Sequence, residues 1–397
     1  MEKKESFFRS IDKDKRYIVA NLFYIYFALG VVLIMLGAIL PVLKVDYQLD
    51  YQVSGMLLSV QSIGFALAGL GSGFLPLYCG LKNSFILLAA GTAVGMGMLL
   101  VSGNPIWLLT AMAFIGISKG SISNYNNQIM SEIAEGHAGP LNMLHGFFAI
   151  GACVAPFIVL FCSKLDESGW RLATLIATIL SAIALVTMVR MKLDNSRAVG
   201  EKGEKKKVSY GFLKEKIFWI TTLIVFFYQY VEAPMMGLIT SFFVDSKVMT
   251  NDSAQLVTSA LWIAILLGRF SCSGIAKYFR PHQMIFVMTI GQIGFLYMLV
   301  NSHSFITMMI ATIGLGFSMS GMYGTSVSNA GDLFARYPVC MGFFVLITSM
   351  GAVLSPAIIG MIANVAEIRT GFVSLLIAAV VLIGIAVYNA SYFKKKA

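Results

Sequence analysis

Twelve stretches of this chain run apolar for roughly twenty residues each, the length at which a helix crosses the hydrocarbon core of a bilayer. They are Tyr17 to Leu43, Ser54 to Tyr78, Ser84 to Val101, Ile106 to Met130, Leu141 to Phe161, Trp170 to Met191, Ile217 to Val244, Ser253 to Tyr278, Met284 to Val300, Ser304 to Ser328, Val339 to Ala363 and Thr370 to Phe393. Lipid offers no partner to a backbone N–H or C=O, so such stretches must form helices. The composition agrees. Of 397 residues, 58% are hydrophobic and 12% charged, against about 25% charged in soluble domains. An all-α membrane protein with twelve transmembrane helices is predicted. The net charge of +10 raises nucleic acid as a partner. Most of the basic residues, however, lie in short segments between apolar runs, as membrane proteins distribute them. The lipid bilayer is the expected surrounding, and nucleic acid is not an expected partner.

Most connections are short. Lys192 to Lys216 is the exception, being polar, basic and rich in Gly and Lys. It predicts a tail over 1–16, a first six-helix bundle over 17–193, a linker over 194–216, a second bundle over 217–393 and a tail over 394–397. With the N-terminus inside, 22 of the 29 Lys and Arg fall on the cytoplasmic side and 5 outside. That bias predicts a multi-pass protein of the cytoplasmic (inner) membrane with both termini in the cytoplasm. The first run is long and lacks a small-residue cleavage site, so it reads as a retained helix. Cys79, Cys153, Cys162, Cys272 and Cys340 are scattered, with no Cys-x-x-Cys and no His at metal spacing. They predict apolar fillers, with neither a disulfide framework nor a metal site.

The two halves repeat. Gly151-Ala152-Cys153-Val154-Ala155-Pro156 in the fifth run matches Gly351-Ala352-Val353-Leu354-Ser355-Pro356 in the eleventh, 200 residues on. Ile115-Gly116 and Tyr125 in the fourth run match Ile313-Gly314 and Tyr323 in the tenth. Parallel six-helix repeats are a transporter architecture, with the substrate site between them near the midplane. The expected fold is two pseudo-symmetric six-helix bundles.

Polar groups within apolar runs are the candidate site, because ionisable residues inside a membrane are costly and tend to be functional. Lys119 lies near the middle of the fourth run, with Ser123 and Asn126 on its face and Asn124 and Asn127 flanking it. This set offers donors to hydroxyls or to an anion; alternatively Lys119 is an ion-pair partner and the amides bond neighbouring helices. Glu232 lies near the middle of the seventh run, with Tyr228 and Gln229 one turn earlier. Pro234 follows and removes the backbone bond to Tyr230, kinking the helix. A Glu232 that parts from Lys119 during a cycle can carry a proton; one that stays paired cannot. Gln61 and Trp262 add an amide and an aromatic face, the combination with which polar solutes are held. His145, one turn into the fifth run, is a gate or relay candidate. Arg269 and Lys277, near the inner end of the eighth run, predict a cytoplasmic latch.

Three stretches resemble the fucose/proton symporter family of sugar permeases, within the major facilitator superfamily. They are Leu267-Gly268-Arg269-Phe270 leading to Lys277-Tyr278-Phe279-Arg280-Pro281-His282; the fifth-run set Asn142, His145, Phe147, Phe148, Gly151, Ala152 and Pro156; and Tyr230-Val231-Glu232. Two departures accompany the resemblance. The acid and both arginines of the superfamily's loop between helices 2 and 3 are absent from Gly73 to Lys82. Gly120 stands where many family members carry a helix-4 carboxylate. The resemblance implies no enzymatic activity and no resident cofactor. It implies a monomer that moves a small polar molecule, a sugar first, by alternating access. Transport would be facilitative or driven by a proton or sodium ion. Export of amphipathic drugs and carriage of an organic anion with Lys119 as counter-ion are the alternatives.

Overall fold

A computed structural model describes residues 12–134, 138–166, 168–193, 209–276, 278–331, 333–337 and 340–395. Residues 1–11 of the expected tail, 194–208 of the expected linker, Lys277 and residues 396–397 lie outside the described residues. Among the described residues there are helices and no strand, and twelve of the helices are long and apolar enough to cross a membrane. They are α1 (Lys13–Asp46), α2 (Tyr51–Phe74), α3 (Leu81–Leu99), α4 (Pro105–Ala134), α5 (Ala138–Leu165), α6 (Gly169–Arg190), α7 (Lys216–Gly237), α8 (Asn251–Ile275), α9 (Pro281–Asn301), α10 (Phe305–Met319, resumed as Met322–Asn329), α11 (Cys340–Val365) and α12 (Ile368–Lys394). The most apolar window of α1 is 83% buried, against 33–56% in the other spans. Protein therefore surrounds α1, while the others turn residues such as Leu87, Phe161, Val287 and Ile377 outward, as lipid requires.

Three of the expected runs are interrupted. α2 stops at Phe74, and Pro76 starts a separate turn, Pro76–Cys79, because it has no N–H to continue the ladder. Gly80 then takes a positive φ of 82°, which turns the chain into α3. α7 ends at Gly237, three residues after Pro234, and resumes as Ile239–Asp245. α10 breaks at Ser320–Gly321, where the Ser320 hydroxyl donates to the Phe317 carbonyl. Side-chain bonding of that kind competes with the helical ladder.

By contacts the chain divides into two compact units. One holds Met1–Met35 and Ile63–Gly203; the other holds Leu36–Ser62 and Glu204–Ala397. The boundary thus passes through α1 and α2. Glycines explain the company that Leu36–Ser62 keeps in the second unit. A Cβ on Gly37 would lie 2.7 Å from the Met236 carbonyl oxygen, and one on Gly55 would overlap the Pro356 carbonyl. So α1 meets α7, and α2 meets α11, backbone to backbone, as small residues allow between membrane helices. In the first unit, Ile18, Leu22, Tyr26, Phe85, Ile122, Tyr125, Leu144 and Met188 share one core.

Equivalent devices recur about 200 residues apart. Gly151 packs on Phe27 and Val31 of α1; Gly351 packs on Phe226 and Tyr230 of α7. Asp50 accepts from Val53 N at the start of α2, and Thr250 from Ser253 N at the start of α8, two N-caps. Gln48 and Lys247 each close a turn with left-handed φ, 52° and 57°. Arg171 donates to Leu100 O at the end of α3 (3.5 Å); Arg369 donates to Val300 O and Ser302 O at the end of α9 (both 2.7 Å), with its guanidinium 5.6 Å from the Phe242 ring. A cation there also suits the negative end of the helix dipole. Charged hydrogen bonds contribute about 1.5–3 kcal/mol each. Arg369→Met is therefore expected to lower the melting temperature in detergent, and by more than Arg171→Met does.

Candidate functional site

In the first unit the candidate groups sit on α4 against α1, α2 and α5. Lys119, Ser123 and Asn127, four residues apart, form one half-buried stripe. Lys119 Nζ stands 5.0 Å from the centre of the Phe65 ring on α2, a cation–π contact. The Tyr26 hydroxyl on α1 donates to Ser123 O at 3.3 Å, and His145 on α5 meets the Tyr26 ring edge-on at 5.5 Å. The amides divide. Asn126 is fully buried and donates to Leu22 O of α1 at 3.2 Å, so it fastens two helices together. Asn124 points the other way and donates to the Ser72 hydroxyl of α2 at 2.7 Å. Asn127 stays on the stripe, and its buried Oδ1 accepts no hydrogen bond. His145 is exposed.

In the second unit the candidate groups centre on α7. The buried Tyr228 hydroxyl donates to the half-buried Glu232 carboxylate one turn on. Arg269 on α8 is half-buried, and the Tyr323 ring on the resumed part of α10 stands 6.1 Å from that of Phe344. Gln229 is half-buried beside this group. Gln61 is buried, with an amide nitrogen that donates to nothing, and Trp262 is fully buried. Pro234 leaves the Tyr230 carbonyl without its backbone donor, just above Glu232. The five cysteines are free thiols. Among the described residues no three His, Cys, Asp or Glu are grouped to hold a metal ion.

Tyr26 and Tyr323 were not among the expected site residues. Tyr323 appeared only as a repeat marker paired with Tyr125. The available signal in each case was a phenol within an apolar run, which must find a polar neighbour when buried.

Residues 22–300 match the profile of the Major Facilitator Superfamily, and the chain belongs to that superfamily of transporters. It is therefore a multi-pass membrane transporter and not an enzyme. It is 23% identical over 355 residues to human sodium-dependent glucose transporter 1, covering 77% of this chain and 67% of that protein. It is 22% identical over 373 residues to the putative niacin/nicotinamide transporter NiaP of Bacillus subtilis, covering 89% of each. Among solved structures, a bacterial homologue of the human lysosomal transporter Spinster superposes with a TM-score of 0.77 at 12% identity, over 97% of this chain and 99% of that one. The E. coli fucose:proton symporter FucP does so with a TM-score of 0.63 at 16% identity, over 95% and 99%. These likenesses establish the fold.

Proposed function

We propose that the protein carries a small polyhydroxylated solute, a sugar in the first place, across the cytoplasmic membrane by alternating access. Glu232 is the coupling carboxylate in this reading, and both termini are cytoplasmic. The observation that carries the proposal is the Tyr228–Glu232 pair on α7, one turn before the helix is interrupted after Pro234. A carboxylate fixed by a phenol, among donors, suits hydroxyl groups that both give and accept hydrogen bonds. Among the described residues, Glu232 is the acid nearest the middle of any span, the others lying at helix ends or in connections. The proton is accordingly the coupling ion proposed. On the first unit, Lys119, Ser123 and Asn127 offer a second set of polar groups. The similarity to proteins named as glucose and fucose transporters supports a sugar.

A second reading has a specific observation behind it. Lys119 and His145 both lie on the first unit's polar groups, and the niacin/nicotinamide transporter is among the relatives. An organic anion would then take Lys119 as its counter-ion. Thermal-shift measurement on the purified protein separates the two, since a true ligand stabilises by mass action, by about 2.7 kcal/mol at a hundred times its Kd. Fucose or glucose raising the melting point, with no response to nicotinate or benzoate, is the expected result. The reverse pattern would replace the sugar with the anion.

A further inference from the structure

Among the described residues, the ion pair Lys44–Asp245 differs from Lys192–Asp14 and Arg336–Glu215. Lys192–Asp14 and Arg336–Glu215 are open to solvent, with side chains 75% and 62%, and 46% and 30%, exposed. Lys44–Asp245 is short, at 2.6 Å, and its side chains are only 13% and 18% exposed. Lys44 is in the last turn of α1, and Asp245 ends the Ile239–Asp245 continuation of α7. The Lys44 ammonium also stands 3.8 Å from the centre of the Tyr51 ring, the first residue of α2. One group thus ties three helices together, all at the ends that the basic-residue bias assigns to the outer face.

The layer beneath that pair is built for close contact and for giving way. Gln255 on α8, itself fully buried, donates to Ala38 O of α1 at 2.8 Å. Gly37 meets Gly237, with a Cβ on Gly37 falling 3.1 Å from the Gly237 Cα; Gly55 meets Gly360 at the same distance. Each crossing has a proline within one turn: Pro41 after Gly37, Pro234 before Gly237, Pro356 before Gly360. A proline inside a helix removes one backbone bond and leaves a site of bending. α1 and α2 continue from this layer into the other compact unit. Ends of helices joined by one ion pair, one amide bond and glycine contacts, over softened backbones, make a closure that can be undone.

We propose that Lys44 and Asp245 form the latch of an outer gate, seated on Tyr51 and backed by the Gln255–Ala38 bond, which must open in each cycle. This inference rests on the alternating-access reading but not on the identity of the solute. A partly desolvated pair loses most when one member is removed, because the other charge is left uncompensated. Opening should therefore become easier in Lys44→Gln and in Asp245→Asn, and closure should return when the charges are exchanged.

The test needs no substrate. A cysteine placed at Ser59, buried on α2 one turn from Gly55, reports opening by its reaction with a membrane-impermeant thiol reagent in intact cells. Labelling of the parent protein with its own five cysteines is subtracted. Lys44→Gln and Asp245→Asn are each expected to speed labelling about tenfold, the factor that corresponds to ~1.4 kcal/mol. Lys44→Asp combined with Asp245→Lys should restore slow labelling. Unchanged rates in both single variants would overturn the proposal. So would failure of the single variants to reach the membrane, since a contact that opens in every cycle cannot be a condition of folding. A sugar that fails to bind in thermal-shift measurements leaves these outcomes as they are, so the two readings fail separately.

Discussion

Glu232→Gln is expected to leave the protein folded and to abolish concentrative uptake, because an amide can neither take up nor release the coupling proton. Gln has nearly the same volume, and its amide oxygen can still accept from the Tyr228 hydroxyl that now donates to the carboxylate. What it cannot do is take up a proton. If Glu232 only couples, Glu232→Gln should still exchange labelled for unlabelled solute across proteoliposomes without a pH gradient. If Glu232 also holds the solute, exchange should fall as well. Normal uptake driven by a proton gradient would remove Glu232 from the mechanism.

The companion experiment is Lys119→Met, alone and with Glu232→Gln. A mid-membrane cation is costly to bury and stays where something repays it. If Lys119 and Glu232 serve only to neutralise each other, the double variant should regain both stability and uptake, because replacing both members of a buried pair is often close to neutral. The expected result is partial recovery of melting temperature and none of transport. Full recovery of uptake would reduce both residues to structural neutralisation.

The fold was legible because lipid permits so few solutions. Twenty apolar residues between charged segments can hardly be anything but a spanning helix, and each of the twelve runs contains one. Breaks within spans were less legible. Pro234 announces the end of α7 near Gly237, whereas the interruption of α10 at Ser320–Gly321 rests on a serine and a glycine, pairs that occur in many unbroken membrane helices. The candidate residues were readable as polar groups within apolar runs, but their geometry was not. At 100° per residue, Asn126 falls closer than Asn127 to the direction of Lys119. Yet Asn126 is the one spent on Leu22 O, while Asn127 stays on the open stripe. Which edge of a polar face is covered depends on where α1 crosses α4, and a single helix's periodicity carries no such information.

Gly351→Val is expected to destabilise the protein by ~3 kcal/mol or more, at the upper end of what overpacking costs. The same change at Gly384 should fall within about 0.5 kcal/mol, as surface substitutions usually do. A side chain at Gly351 would run into the Phe226 carbonyl and lie 3.1 Å from Tyr230 N, whereas nothing stands within 4 Å of one at Gly384. The obstacles at Gly351 are backbone atoms of α7, which cannot rotate aside as a side chain can, so α11 has to move away. Gly151→Val should behave alike, since its Cβ would meet Phe27 O and lie 3.0 Å from Val31 N of α1. The two positions nevertheless differ in what they carry. Phe226 and Tyr230 bracket Tyr228 and lie within two turns of Glu232, so displacing α11 disturbs the helix that holds the proposed coupling carboxylate. Phe27 and Val31 follow Tyr26 on α1, which bonds the α4 stripe instead. Gly351→Ala, which adds only the Cβ, is therefore expected to retain a measurable folded fraction and to lose uptake out of proportion to its loss of stability, read as transport per folded molecule in proteoliposomes. Equal stability of the Gly351→Val and Gly384→Val variants would show that α7 and α11 do not meet at this glycine, and would remove the strongest single contact behind the repeat.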